Sequence, residues 1–231
     1  MHDSVAFWAK FHYFNHPYLS GLSALGILAI GVFVFLKNTK SPTYRAFLWM
    51  TFTITYWFLG NVVSMLNYKE LELALYWTRI GYSIVPVMAI SYYNFYLTLC
   101  QKRSKLIFFL YLTCPIELIY MWGSHDMWAG AHSLANVGVF WVGFPRFSYF
   151  IVFGMVKYIF ITLLTAFSFL KEYREELAPI KKQQYKSLAI VFFVLTMGWV
   201  EWIVGFGVPL HIAWIVLPFF IATIAYAIIR Y

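Results

Sequence analysis

The stretch YWTRIGYSIVPVMAISYYNFYLTL, residues 76–99, decides the class of fold. It is long and apolar enough to cross a bilayer, since a transmembrane helix needs about 20 mainly apolar residues. It nevertheless contains Arg79 near one end, Pro86 in the middle and Asn94 beyond it. Such a helix is stable in a membrane when neighbouring helices satisfy its polar groups and the carbonyl that a proline leaves free. The stretch therefore predicts one helix of a bundle, bent at Pro86.

The composition of the whole chain agrees with this interpretation. The chain has 231 residues, of which 62% are hydrophobic and 11% are charged, whereas soluble domains carry about 25% charged residues. Aromatic residues reach 23%, including 10 Trp and 18 Tyr, and these side chains suit the two membrane–water interfaces. The composition excludes an ordinary soluble domain and predicts an integral membrane protein.

Seven apolar stretches approach the length of a membrane span. We predict an all-α fold, a polytopic seven-transmembrane-helix bundle occupying residues 18–231. Residues 1–17 are too polar to span and rich in aromatic side chains, which predicts an interfacial N-terminal segment. The predicted spans are residues 18–36, 46–66, 73–100, 106–122, 148–170, 187–207 and 212–230.

The basic residues predict the orientation of this bundle. Eleven of the 17 Lys and Arg residues lie in the connections after the first, third and fifth predicted spans. These residues are Lys37, Lys40, Arg45, Lys102, Arg103, Lys105, Lys171, Arg174, Lys181, Lys182 and Lys186. Positive charge accumulates on the cytoplasmic side of membrane proteins, so we expect the N-terminus outside and the C-terminus in the cytoplasm. The net charge of +8 is then explained by the orientation of the chain in the lipid bilayer. It does not predict binding to nucleic acid.

Four ionisable residues fall inside the predicted spans and bias towards their outer halves: Arg79, Glu117, Lys157 and Glu201. An isolated charge at the bilayer centre costs about 2.5–3.5 kcal/mol even on the lenient insertion scale, so such groups normally face inward and pair. Two interpretations follow. The four residues form structural ion pairs, or they form a ligand or proton site that faces the exterior. The candidate lining of that site is Trp77, Trp199, Trp202 and His211.

The long connection 123–147 and the remaining polar residues give weaker evidence for a functional site. The connection either folds back over the helix ends or forms a lid over an outward-facing pocket. His125, His132 and Asp126 are the nearest approach to a metal site, but loop histidines are usually solvated, and we expect no metal and no cofactor. Catalytic signatures are absent from the sequence, so we expect no enzyme.

Several motifs resemble the N-terminal seven-transmembrane sensor region of bacterial histidine kinases and related signalling proteins. The third span of that family typically carries Trp-x-Arg, a proline and an inner aromatic, in the places of Trp77, Arg79, Pro86 and Phe95. Before the sixth span, APIKKQQYK resembles the Pro-x-x-basic-x-Gln entry of the family, and the ending AYAIIRY resembles its exit to the cytoplasm. The stretch GVPLHIAW departs from the family, because it lacks Tyr-Pro-x-Gly.

The resemblance implies a sensor or receptor domain in the bacterial cytoplasmic (inner) membrane. Such a domain binds a ligand on its outer side and relays a signal to a cytoplasmic signalling domain. The sequence ends where that domain begins in relatives, which leaves the membrane part of a longer protein, or a stand-alone relative working with another subunit or as a homodimer. The alternative function is a non-catalytic accessory or scaffold subunit of a larger membrane complex.

Overall fold

A computed structural model describes the backbone of residues 2–67, 70–123, 132–134, 139–141, 149–196 and 213–230. It describes side chains for 17–67, 70, 72–123, 153–196 and 216–230. Within these ranges the elements are α1 His2–Lys37, α2 Pro42–Leu66, α3 Leu71–Tyr82, α4 Val85–Leu99, α5 Leu106–Gly123, β1 His132–Leu134, β2 Val139–Trp141, α6 Tyr149–Glu175, α7 Pro179–Thr196 and α8 Ala213–Arg230.

The predicted helical character is confirmed, with one small addition. Strands β1 and β2 form an antiparallel pair inside the connection 123–147, with Ser133 opposite Phe140. Five described helical segments are long and apolar enough to cross a membrane: Pro17–Lys37, Pro42–Leu66, Glu72–Leu99, Leu106–Gly123 and Phe153–Glu175. Val216–Arg230 is apolar but shorter. Their length and composition indicate a membrane protein.

Two helices differ in extent from the predicted spans. Helix α1 is continuous from His2 to Lys37 and contains Pro17. Its part that is long and apolar enough to span is Pro17–Lys37, close to the predicted span 18–36, and the interfacial segment 1–17 stays a prediction. The third predicted span consists of two helices, α3 and α4, which are separated at Ser83 and Ile84. The second difference follows from Pro86, because its nitrogen cannot donate the helical hydrogen bond to the carbonyl four residues earlier.

Short polar connections fix the ends of the helices. Ser41 caps α2, because its Oγ accepts from the backbone N–H of Tyr44 at 3.5 Å and Pro42 follows at the first helical position. At the end of α4, Gln101 adopts φ 54° and the N–H of Lys102 donates to the carbonyl of Leu97 at 2.8 Å. This is a Schellman ending, in which a left-handed residue lets the chain turn sharply towards α5.

The described helices α1, α2, α4, α6, α7 and α8 contact one another in a closed ring. Helix α1 packs against α2 and α8, α2 packs against α3 and α4, α4 packs against α6, and α6, α7 and α8 follow in chain order. Where α4, α6 and α7 meet, Phe95, Phe169 and Phe192 pack together, and the rings of Phe169 and Phe192 stack at 5.6 Å. Helix α5 packs on α4 outside the ring and is the least buried of the five spans.

Helices α2 and α3 touch through their backbones. A Cβ atom on Gly60 would lie 2.2 Å from the Cα of Gly81, so no side chain fits at this crossing. One turn further on, the Oγ of Ser64 donates to the carbonyl of Ala74 at 2.8 Å and lies 2.6 Å from the Oγ1 of Thr78. Small residues allow this close approach, and hydroxyl groups bond across it, as is common between membrane helices.

The connections 37–42, 99–106 and 175–179 lie at one end of the bundle, which we call the basic end. The Oγ1 of Thr43 donates to the carbonyl of Thr98 at 3.3 Å, joining the start of α2 to the end of α4. The Nε2 of Gln184 donates to the carbonyl of Ala227 at 3.0 Å, joining the start of α7 to the end of α8. The structure therefore gathers the basic connections on one side, as the sequence predicts.

The Gly60 crossing yields a first testable prediction. We expect Gly60→Ala to lower the free energy of unfolding in detergent by about 1–3 kcal/mol, because the two backbones must separate. Gly26→Ala is the matched control, since a Cβ atom at Gly26 meets nothing within 4 Å. The control should be neutral or slightly stabilising, because alanine is the better helix former. Equal stability of the two variants would contradict the close contact.

Candidate functional site

The buried ion pair between Lys157 and Glu117 is the centre of the candidate site. The Nζ of Lys157 on α6 bonds to Oε1 of Glu117 on α5, and their side chains are only 8% and 4% exposed. The backbone and sequence explain this placement, because Glu117 lies six residues before the end of α5 and Lys157 lies eight residues after the start of α6. At 1.5 Å per residue, both lie about 10 Å from the end opposite the basic end.

Two further side chains of α5 complete the surroundings of the Lys157 ammonium. It donates to the Oγ1 of Thr113 at 2.6 Å and lies 3.9 Å from the Sγ of Cys114. Thr113 precedes Glu117 by four residues, so both lie on the same face of the helix. The hydroxyl and the carboxylate together satisfy a cation that water cannot reach, which is the requirement for a buried charge.

Helix α5 contributes most of this site although little of it is packed. In the part of α5 that is long enough to cross a membrane, 17% of the residues are buried, whereas the figure for α2 is 61%. Cys114, Glu117 and Met121 are its buried residues, and they recur at three- and four-residue spacing. The ion pair is one of the contacts that hold α5 to the bundle. Because few residues of α5 are buried, we expect its packing to change more easily than that of α2.

Arg79 lies apart from this pair. It sits in the last turn of α3 and is half-buried. Its Nε is buried without a hydrogen-bond partner, and no ion pair joins its guanidinium to an acidic side chain in the described ranges. The Nε1 of Trp57 on α2 is the other buried side-chain nitrogen without a partner in those ranges. Both groups are hydrogen-bond donors.

Aromatic side chains and Ser83 connect Arg79 on α3 to α5, the helix that carries Glu117. The Nε1 of Trp122 donates to the Oγ of Ser83 at 3.0 Å, and this Oγ donates to the carbonyl of Arg79 at 2.7 Å. The ring of Tyr76 packs edge-on against Trp122 with centroids 6.0 Å apart and also contacts the ring of Trp77. Ser83 thus lies at the break between α3 and α4 and binds both α5 and the last turn of α3.

At the basic end a second polar cluster joins α4 to α6. The hydroxyl of Tyr96 donates to Oε1 of Glu172 at 2.9 Å, and Lys102 forms an ion pair with the same oxygen. The hydrogen bond that Lys102 donates to Glu172 raises the pKa of Lys102. The contribution of this pair to stability is therefore present at neutral pH and is lost as the pH rises through that raised pKa. Burial raises the pKa of the nearby Tyr185 to about 12.

The structure brings together two of the four charged residues singled out from the sequence. Lys157 and Glu117 form the pair that the cost of an isolated buried charge demands, and Arg79 does not join it. Trp77 is half-buried on α3, and Pro86 lies in the first turn of α4, directly after the helix break. The candidates Trp199, Glu201, Trp202 and His211, and the loop residues His125 and Asp126, lie outside the described residues.

Sequence reasoning missed Thr113, Trp57 and Ser83. The four-residue spacing of Thr113 and Glu117 is a usable signal, because it predicts a shared helix face. No sequence signal marks the indole of Trp57 as unpaired or the hydroxyl of Ser83 as a bridge, since both depend on how the helices pack. Among the described side chains, no group of three His, Cys, Asp or Glu residues could hold a metal ion.

Comparisons with protein families, with characterised proteins and with solved structures found no match to this chain. The site is therefore interpreted from its own geometry.

The buried pair gives a second prediction. Glu117→Leu alone should lower the free energy of unfolding by about 3–5 kcal/mol, because it leaves the Lys157 ammonium buried without a counter-charge. Adding Lys157→Met should recover most of this loss, since two apolar side chains of similar size need no charge partner. Reversible unfolding in mixed detergent micelles measures both. A double variant no more stable than Glu117→Leu would contradict the direct pairing.

Proposed function

We propose that this chain is a membrane-embedded sensor domain of seven transmembrane helices. It binds a ligand at the end opposite the basic end, and it relays a change in helix packing to the basic end. The observation that carries the proposal is the buried pair of Lys157 and Glu117. The resemblance to the sensor region of bacterial histidine kinases supports the same function, with a cytoplasmic signalling domain or partner protein as the receiver and the inner membrane as the location.

A buried ion pair is a costly way to join two helices, since apolar side chains of similar volume often stabilise a protein more. Charged residues inside membrane segments usually mark functional sites for this reason. Here the pair holds α5, the helix with the least buried surface. A polar ligand that bonds to either charge competes with the pair, and it shifts the packing of α5 if it binds one arrangement better than the other.

Helix α6 offers a rigid path from this pair to the basic end. Lys157 and Glu172 lie on the same helix, 15 residues apart, which corresponds to about 22 Å. Glu172 bonds to Tyr96 and Lys102 of the α4 end. A displacement of α6 at Lys157 therefore reaches contacts with α4 at the opposite end of the helix.

The orientation belongs to the proposal and can be tested separately. We expect Lys37→Cys to react with a membrane-impermeant maleimide only in inside-out vesicles, and His132→Cys only in intact cells. The reason is the excess of Lys and Arg in the connections of the basic end. Labelling of Lys37→Cys in intact cells would reverse the orientation and remove the support from the family resemblance.

The relay is tested through a native cysteine at the basic end. Cys100 is half-buried at the end of α4, whereas Cys114 is buried beside the ion pair. We expect Glu117→Gln to change the rate of maleimide labelling at Cys100 at least about threefold, because loss of the pair repacks α5 and α6. Peptide mapping distinguishes the two cysteines.

The matched control for the relay is Gly26→Ala, which meets no neighbour within 4 Å. Its Cys100 labelling rate should equal that of the wild type. An unchanged rate in Glu117→Gln, in protein that is folded by near-ultraviolet circular dichroism, would refute the relay.

The exposed apolar face of α5 favours a second candidate function, an accessory or scaffold subunit. This face is formed by Phe108, Phe109, Leu112, Ile116 and Ile119. A partner helix could cover it as well as lipid does. A photo-crosslinking amino acid at Ile119 distinguishes the two functions, because a scaffold should crosslink to one unrelated membrane protein in stoichiometric yield and a sensor should not.

A further inference from the structure

Two buried nitrogen donors without partners lie near the same end of the bundle. They are the Nε of Arg79 and the Nε1 of Trp57. Trp57 is 8% exposed, so its indole is largely shielded from solvent as well. A buried donor without an acceptor lowers the stability of the protein by about 1–3 kcal/mol, and a charged donor lowers it by more. Among the described side chains, only these two nitrogen atoms are buried without a hydrogen-bond partner. Both are donors, and neither can accept a hydrogen bond.

The two donors lie on adjoining helices, Trp57 on α2 and Arg79 on α3. The ring of Trp57 meets the ring of Tyr82 edge-on, with centroids 6.5 Å apart. Arg79 precedes Tyr82 by three residues, so the two side chains lie one helical turn apart on the same side of α3. The carbonyl of Trp57 lies against Gly81, so α2 and α3 cannot move apart here without breaking their closest contact.

Acceptors within the described ranges do not serve these donors. The Glu117 carboxylate is bound to Lys157. Glu70 and Glu72 are exposed at the start of α3, two turns from Arg79, and neither forms an ion pair with it. Arg79 as a whole is half-buried, and its Nε is buried.

We infer that Arg79 and Trp57 form a binding site for an oxyanion, a carboxylate or phosphate group. Guanidinium binds such groups with two parallel hydrogen bonds, and an indole N–H adds a third donor. The inference rests on the proposed sensor function, for which it names the chemical class of the ligand. A free solute and the headgroup of an anionic lipid both supply this chemistry.

The experiment measures thermal unfolding of the purified chain in detergent with increasing sodium phosphate or sodium acetate. Sodium chloride at matched ionic strength is the reference, because it screens charge without offering an oxyanion. A second arm compares vesicles of phosphatidylcholine with and without phosphatidylglycerol, which separates a lipid headgroup from a free anion. We expect stabilisation beyond chloride in at least one arm.

The variants assign the effect to the two donors. Arg79→Gln should raise the midpoint concentration of the stabilising anion about tenfold or more, the factor that corresponds to a lost hydrogen bond to a charged group. Trp57→Phe keeps the ring but removes the N–H, and it should raise the midpoint about fivefold. If Arg79→Gln fails to fold, Trp57→Phe still tests the anion site. Arg103→Gln, in the exposed connection after α4, is the matched control and should behave as wild type.

Three results would overturn the site. The first is equal stability in chloride, phosphate, acetate and anionic lipid, and the second is unchanged anion stabilisation in Arg79→Gln. The third is a double-mutant cycle in which Arg79→Gln adds nothing to the destabilisation caused by Glu201→Gln or Asp126→Asn, which would assign the guanidinium to a partner within the chain.

The sensor function and the anion site can fail separately. Oxyanion binding that leaves Cys100 labelling unchanged in wild type and Glu117→Gln would refute the relay and leave the site. Intact coupling between Glu117 and Cys100, without oxyanion binding, would refute the site alone.

Discussion

The exclusion of water from the hydrocarbon of a membrane governs this structure. Polar groups on its helices must bond within the protein, because lipid offers no hydrogen-bond partners. Hydroxyl groups of α2 illustrate the consequence, since Thr53 meets Ser91 of α4 at 3.3 Å and Thr55 donates to the carbonyl of Ala24 in α1 at 3.3 Å. Such bonds average only about 0.6 kcal/mol each, but they fix which faces of the helices meet. Polar pairs thus help to specify which helices are neighbours in the ring.

The same constraint separates the two groups of buried charge. Lys157 and Glu117 satisfy each other, with Thr113 as a further acceptor, so this site is complete without a ligand. Arg79 has a partner for neither its charge nor its buried Nε in the described part of the chain. A complete pair at a loosely packed helix can act as a switch, whereas an unpaired donor is suited to recognition. The two features therefore suit different steps of the proposed sensing function.

The sequence predicted the helical class, the long apolar helices and the shared side of the basic connections, because these depend on composition and local periodicity. It also singled out Lys157 and Glu117, since a charge in an apolar run is conspicuous. It did not predict that α3 and α4 are separate helices or that Trp57 lacks an acceptor. The first depends on how neighbours accommodate the backbone freed by Pro86. The second depends on how the helices around Trp57 pack, which the local sequence does not determine.

The break at Ser83 and Ile84 would connect the proposed anion site to the Lys157 pair. The crossing of Gly60 and Gly81 fastens α3 to α2, while α4 belongs to the aromatic core with α6 and α7. Ser83 lies between these two units, bonding to the carbonyl of Arg79 and accepting from Trp122 of α5. An anion that draws Arg79 towards Trp57 would pull on the carbonyl to which Ser83 donates, and Trp122 would follow. Because Trp122 and Glu117 share α5, the strain from recognition at α3 would reach the Lys157 pair through one hydrogen-bonded serine.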